Sequence, residues 1–183
     1  MDSIAKSEQH ILLVPVGGIS GMVLERVSND LYACHAWKCS IAPGLSIPPY
    51  AYDARRQQYS SSVFLNLLHE RYPPKDTVPL GVIDCDLFVP QLSFVFGEAD
   101  AANGYAVISL TRLREEFYGL PPDEDLFYRR VLTEATHEIG HALRLPHCVN
   151  KTCVMYFSST LHDTDTKGYT FCESCALAVR CRA

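Results

Sequence analysis

Apolar residues run without a break from Ile11 to Val16 and stop at Gly17-Gly18, which predicts a buried strand over His10–Val16 leading into a turn. Met22 to Arg26 would then open a helix, an order of elements that belongs to α/β architecture. The stretch from Ile41 to Ala54 concentrates Pro and Gly and reads as an irregular connection, too short to separate domains. A helix is expected over Arg55–Arg71, with Val63, Leu65, Leu67 and Leu68 on its apolar face and Tyr72-Pro73-Pro74 as its stop. Val78 to Val89 predicts a strand, and Ser93–Gly97 and Tyr105–Leu110 predict two more, separated by the loop GEADAANG. Pairing across that loop would give a hairpin or an edge strand, and an exposed edge can bind a peptide backbone. Pro121-Pro122 and the acids Asp123, Glu124 and Asp125 suit the first turn of a helix, which should run to about Leu145 and end at Pro146. No internal repeat or low-complexity tract interrupts the chain.

Composition narrows the reading. A chain of 183 residues, 48% hydrophobic and 20% charged, can build one ordinary core, so residues 1–183 are expected to form a single domain with an upper part over 1–147 and a C-terminal part over 148–183. The net charge of -5 and the lack of a Lys/Arg-rich run give no basic field for nucleic acid. The apolar run near the start is too short to span a membrane and lacks the flanks of a secretory signal, so no membrane partner and a cytoplasmic location are expected. Oligomeric state is not written in the sequence.

Eight cysteines in a reducing compartment direct attention to metal binding. Five of them, Cys148, Cys153, Cys172, Cys175 and Cys181, crowd the last 36 residues. Two of these are separated by four residues (Cys148 and Cys153) and two more form a C-x-x-C pair (Cys172 and Cys175), the spacing of a closed tetrahedral structural zinc site. The alternatives are four buried reduced cysteines, or disulfides in an oxidising compartment. Cys181 lacks a paired spacing, and Cys34 and Cys39 read as packing residues despite His35 between them.

The run His137-Glu138-Ile139-Gly140-His141 puts two imidazoles one helical turn apart on one face, where they can share a metal ion. Glu138, rotated by about 100° from His137, can lie beside a metal-bound water without being a ligand, which is the position of a general base. So short a motif arises by accident in about one chain in a hundred of this histidine content. His147, six residues after His141 and just beyond the helix end, supplies a third ligand and leaves the fourth position open for water. The competing explanation is a set of surface histidines on an amphipathic helix.

HEIGHALRLPHC, followed by Cys153, Met155 and the Cys172/Cys175 pair, resembles the archaemetzincins, a family of the metzincin clan of zinc peptidases. The segment FVFGEADAANGYAVISLTRL is also similar to that family. The resemblance implies an α/β (α+β) peptidase domain with a mixed twisted sheet, an active-site helix and a Cys-rich, zinc-bound C-terminal part. It further implies two zinc ions per chain, one catalytic and one structural, with Met155 in a turn beneath the catalytic site. Arg144 departs from the pattern, which has Gly there to leave the helix through a positive φ; a different path, one residue later at Leu145-Pro146, is expected here. From Tyr156 to Phe171 there are 16 residues, one fewer than the family pattern.

Hydrolysis of peptide bonds follows, in a peptide or small protein substrate, by a zinc-activated water with Glu138 as base. Tyr156 is a candidate for stabilising the oxyanion. Two other readings compete: a zinc-binding interaction module with little or no peptidase activity, and a cysteine redox switch.

Overall fold

The computed structural model describes residues 9–73 and 77–182; Pro74, part of the expected helix stop, lies outside them. In chain order, strand β1 (His10–Val16) is followed by helix α1 (Gly21–His35), β2 (Lys38–Ile41), β3 (Tyr52–Asp53), β4 (Gln58–Ser60), α2 (Ser61–Arg71), β5 (Val78–Ile83) and β6 (Leu87–Phe88). Then come β7 (Gly97–Asp100), β8 (Tyr105–Ser109), the long helix α3 (Glu124–Ala142), and α4 (Leu161–Thr166) and α5 (Glu173–Arg182) in the Cys-rich part. The architecture is mixed α/β, as the sequence leads one to expect.

A five-stranded mixed sheet has the order β2-β1-β5-β8-β7. The first four strands pair in parallel, and β7 pairs antiparallel with β8 at the edge. Strands β1, β5 and β8 are nearly continuous apolar runs because both faces are covered. Ile11, Leu13, Leu80, Val82, Ala106 and Ile108 pack on one side with residues of α1 and α3. Val14, Val16, Tyr105 and Val107 pack on the other with Phe64, Leu65 and Leu68 of α2. A small second sheet, β3-β4-β6, sits beside them.

Several boundaries differ from expectation for local reasons. Residues 55–60 are not helical: Asp53 accepts backbone N–H bonds from Arg55 and Arg56 and turns the chain into a hairpin, so α2 starts only at Ser61. The Val78–Val89 strand breaks after Ile83, where Asp84 and Asp86 leave the sheet to pair with Arg114 and Arg112. The supposed loop GEADAANG holds strand β7 itself, closed by Asp100 accepting from the Ala102 and Asn103 amides and by Gly104 at φ 80°. Strand β2 had no sequence signal; its four residues lie half-exposed or exposed at the other edge.

The C-terminal part is bound to α3 by a buried cation. Arg130 donates to Asp165 of α4 (2.6 and 2.7 Å) and to the Leu113 carbonyl (3.0 Å), and pairs with Glu115 (2.7 Å), while only 3% exposed. Removing one partner of such a network leaves others buried and uncompensated. Arg130→Ala is therefore expected to lower unfolding stability by about 3 kcal/mol in a urea titration; a loss under about 1 kcal/mol would show that the clamp is dispensable.

Candidate active site

Helix α3 starts where Asp123 accepts the Leu126 N–H (2.9 Å), with the two prolines before it. Its face made of residues 134, 137, 138 and 141 turns inward at the end of the sheet beside β7. Gly97 of β7 lies so close that a Cβ there would sit 2.5 Å from Glu138 Cγ and 2.6 Å from the Val107 carbonyl. The edge strand therefore runs directly past the glutamate, and a glycine is what permits it.

The helix ends in a Schellman turn. Leu145 N–H donates to the Gly140 carbonyl (2.9 Å) and Arg144 N–H to the His141 carbonyl (2.7 Å). Arg144 itself takes φ 65°, so the departure expected one residue later does not occur: the arginine adopts the left-handed conformation that a glycine would. Its guanidinium donates to the Ala102 carbonyl at 3.3 Å. The two bonded helical carbonyls hold the turn in place, offsetting the side-chain strain.

That turn returns His147 to the helix, and the ligand-capable nitrogens of His137, His141 and His147 all lie within 4.8 Å of one another. His137 Nδ1 lies 2.7 Å from the Val154 carbonyl and His141 Nδ1 2.8 Å from the Leu145 carbonyl, so each Nδ1 carries the proton and donates it. Each Nε2 is then a bare lone pair, and the two face each other at 3.1 Å, a repulsive contact unless a cation lies between them. A tetrahedral ion about 2.0 Å from each nitrogen would separate them by about 3.3 Å, so the donor set fits zinc. Burial holds all three imidazoles below their ordinary pKa, His137 most strongly, with the Lys167 ammonium adding to the effect. Neutral imidazole is the ligating form.

Glu138 is buried, and burial pushes its carboxyl well above the usual range, with Glu134 and Glu98 acting in the same direction and Lys167 against it. A divalent cation at the histidines would oppose that shift. Beneath the site, the fully buried Lys167 ammonium pairs with Glu134 (3.2 Å), which also accepts from Thr164 (3.0 Å), and lies 3.4 Å from both His137 Nδ1 and the Tyr156 carbonyl. Sequence reasoning missed this layer. Glu134 could have been found, because it stands one turn before Glu138 on the same face; Lys167, 30 residues after His137, gave no signal.

Met155 is buried directly under Gly140, whose missing Cβ leaves room for its sulfur. The four cysteines Cys148, Cys153, Cys172 and Cys175 converge with their sulfurs within 4.8 Å. Cys148 and Cys172 are 3.8 Å apart, the edge of a tetrahedron around an ion about 2.3 Å from each sulfur. The Ser174 hydroxyl and the Cys175 N–H pull Cys172 down to about 6, while burial and then the Cys172 sulfur push Cys175 far up. Cys34, Cys39 and Cys181 take no part in this group. Tyr156 is half-buried and is not among the residues lining the cleft; Phe157, Ser158 and Ser159 are. The oxyanion role considered for Tyr156 therefore finds no geometric support.

The cleft, about 760 Å³, runs between β7, the 89–96 segment and the three histidines, with Phe94, Phe96 and Phe157 as apolar walls. A glutamate on the helix of a three-histidine cluster, inside a cleft rimmed by a free strand edge, makes this a zinc metallopeptidase. Residues 42–180 match Peptidase family M54, and the chain belongs to that family. It is 42% identical over 165 residues to the archaemetzincin of Methanocaldococcus jannaschii, covering 90% of this chain and 89% of that one. The archaemetzincin structure from Archaeoglobus fulgidus, a complex with malonate, superposes with a TM-score of 0.81 at 35% identity, covering 93% of this chain and 99% of the other. A zinc-dependent peptidase from Methanocorpusculum labreanum superposes with a TM-score of 0.80 at 29% identity, covering 92% and 99%.

Two substitutions probe the geometry. Gly140→Ala drives a methyl into Met155 and should cost about 2 kcal/mol of stability, read by thermal unfolding; an unchanged midpoint would show that Met155 has room to move. At Arg144, a glycine should be at least as stable as the arginine, whereas Arg144→Val should be about 1 kcal/mol less stable. Equal stability of the Gly and Val variants would overturn the left-handed turn.

Proposed function

We propose that this chain hydrolyses peptide bonds with His137, His141 and His147 holding a catalytic zinc, Glu138 as general base, and Cys148, Cys153, Cys172 and Cys175 holding a second, structural zinc. The observation that carries this reading is the pair of imidazole lone pairs facing each other at 3.1 Å with both Nδ1 protons already committed to carbonyls. When bound there, zinc would supply a Lewis acid that polarises a substrate carbonyl and lowers the pKa of water.

The remaining work falls to the chain's own groups. Glu138 takes a proton from the attacking water and returns it to the departing amine, held in place by its helix and by the close passage of β7. The free edge of β7 offers backbone N–H and C=O groups to an extended peptide, whose apolar side chains would meet Phe94, Phe96 and Phe157. Met155 supports the helix from below. Lys167 and Glu134 are paired with each other, which keeps a buried charge layer fixed beneath the ligands. All 183 residues are read as one working unit, acting on peptides or small proteins. Among the described residues no helix is long and apolar enough to cross a membrane, and a cluster of unbridged cysteines suits the reducing cytoplasm.

Elemental analysis of the wild type should give two zinc ions per chain, and the His137→Ala/His141→Ala double variant should retain one. Glu138→Gln should keep both ions and lower kcat on a peptide library by about 10²-fold or more. Equal turnover by wild type and Glu138→Gln would remove Glu138 from the mechanism. No metal-dependent cleavage by the zinc-loaded wild type would favour an interaction module instead.

A further inference from the structure

We infer that Cys148 and Cys153 are positioning residues for the histidine site, so that loading of the thiolate cluster sets how tightly the three histidines hold their metal. The inference rests on the proposal that both clusters take zinc.

The Cys148–Cys153 loop begins one residue after His147 and ends one residue before Val154. Its first end is joined to the chain just past its last by Cys148 N–H donating to the Met155 carbonyl at 2.8 Å. Val154 N–H donates to the Thr170 carbonyl (2.9 Å), and two residues beyond Thr170 the Cys172 N–H donates to Cys153 Sγ (3.3 Å). The last end of the loop is thus held by the segment that carries the second cysteine pair, and the first end by the Met155 carbonyl. Val154 in turn offers its carbonyl to His137 Nδ1, fixing the ring and the nitrogen that carries its lone pair. Two of the three ligands are held from this loop, His147 through the chain and His137 through Val154. His141 is held from its own helix end, through the Leu145 carbonyl.

Packing holds the loop at its last residue, where Cys153 is buried, but not along its middle. Val149, Asn150, Lys151 and Thr152 are all exposed, Val149 at 95%, and a stretch without buried apolar contacts opens at low cost. The four sulfurs lie within 4.8 Å of one another, two from this loop and two from the 172–175 pair, so one shared ion would tie both ends of the loop to that pair. A metal at the thiolates therefore orders the loop, and through it two histidines. Linkage requires the reverse as well: metal at the histidines must tighten the thiolate site by the same factor.

The full-length chain can be titrated with cobalt(II), whose thiolate complex shows a near-ultraviolet charge-transfer band that a histidine site lacks. In Cys172→Ser/Cys175→Ser, which removes the distal pair and leaves the loop intact, that band should fall to about half or less and the cobalt affinity of the thiolate cluster should weaken. Cobalt affinity at the histidines should fall about tenfold or more. The reciprocal arm uses His141→Ala, the ligand not tied to the loop, and measures zinc affinity of the intact thiolate cluster by competition with a chromophoric chelator. That affinity should fall as the histidine site weakens. Affinities unchanged within about threefold would overturn the coupling, and if the double variant does not fold, the His141→Ala arm alone decides. A wild type whose histidines bind no cobalt would instead overturn the catalytic-zinc proposal itself.

Discussion

Two unprotonated imidazole nitrogens held 3.1 Å apart are unfavourable on their own, and much of this molecule is arranged around keeping them there. Helix α3 supplies one turn of separation, but helix geometry leaves the rings free to rotate. The carbonyls of Val154 and Leu145 remove that freedom by taking both Nδ1 protons. Each carbonyl belongs to a segment with its own constraint: Leu145 to a Schellman turn, Val154 to the chain just past the Cys148–Cys153 loop. Met155, the next residue, fills the space left by Gly140 and holds that loop against the helix.

Charge is disposed with the same economy. Arg130 gathers Glu115 and Asp165, and Lys167 gathers Glu134, so the acids and bases behind the ligands are mutually satisfied. Such networks are seldom the most stabilising choice for an interior. Here they join α3 to α4 and to the turn before it, which places a fixed cation within 3.4 Å of His137. That cation and burial favour neutral imidazole, the form a metal needs.

The sheet contributes position more than chemistry. Its parallel strands are buried on both faces and form the rigid floor. β7 is last in the strand order, so among the described residues no further strand covers its outer edge, and it borders the cleft. Gly97 brings that strand within touching distance of Glu138, so a peptide lying along β7 would have its backbone beside that carboxyl group.

Much of this was legible without coordinates. Strand β1, the strand at β8, the active-site helix and both ligand clusters are local in sequence: continuous apolar runs, a turn of helix between two histidines, and cysteines in close pairs. Each records a constraint acting over a few residues. The short strands, the break after Ile83 and the strand inside GEADAANG were not legible, because partners distant in sequence decide them. The path at Arg144 misled for a related reason: a glycine preference describes an intrinsic cost, whereas the bonds to the Gly140 and His141 carbonyls settle what the arginine does. Lys167, Glu134 and Val154 are likewise visible only in space. Sequence by itself therefore picked out the three histidines and four cysteines that gather into two clusters, and the glutamate beside the histidines. Tertiary structure alone decided their orientation, since ring rotation, buried charge and the edge of a sheet are set by contacts between residues far apart in the chain.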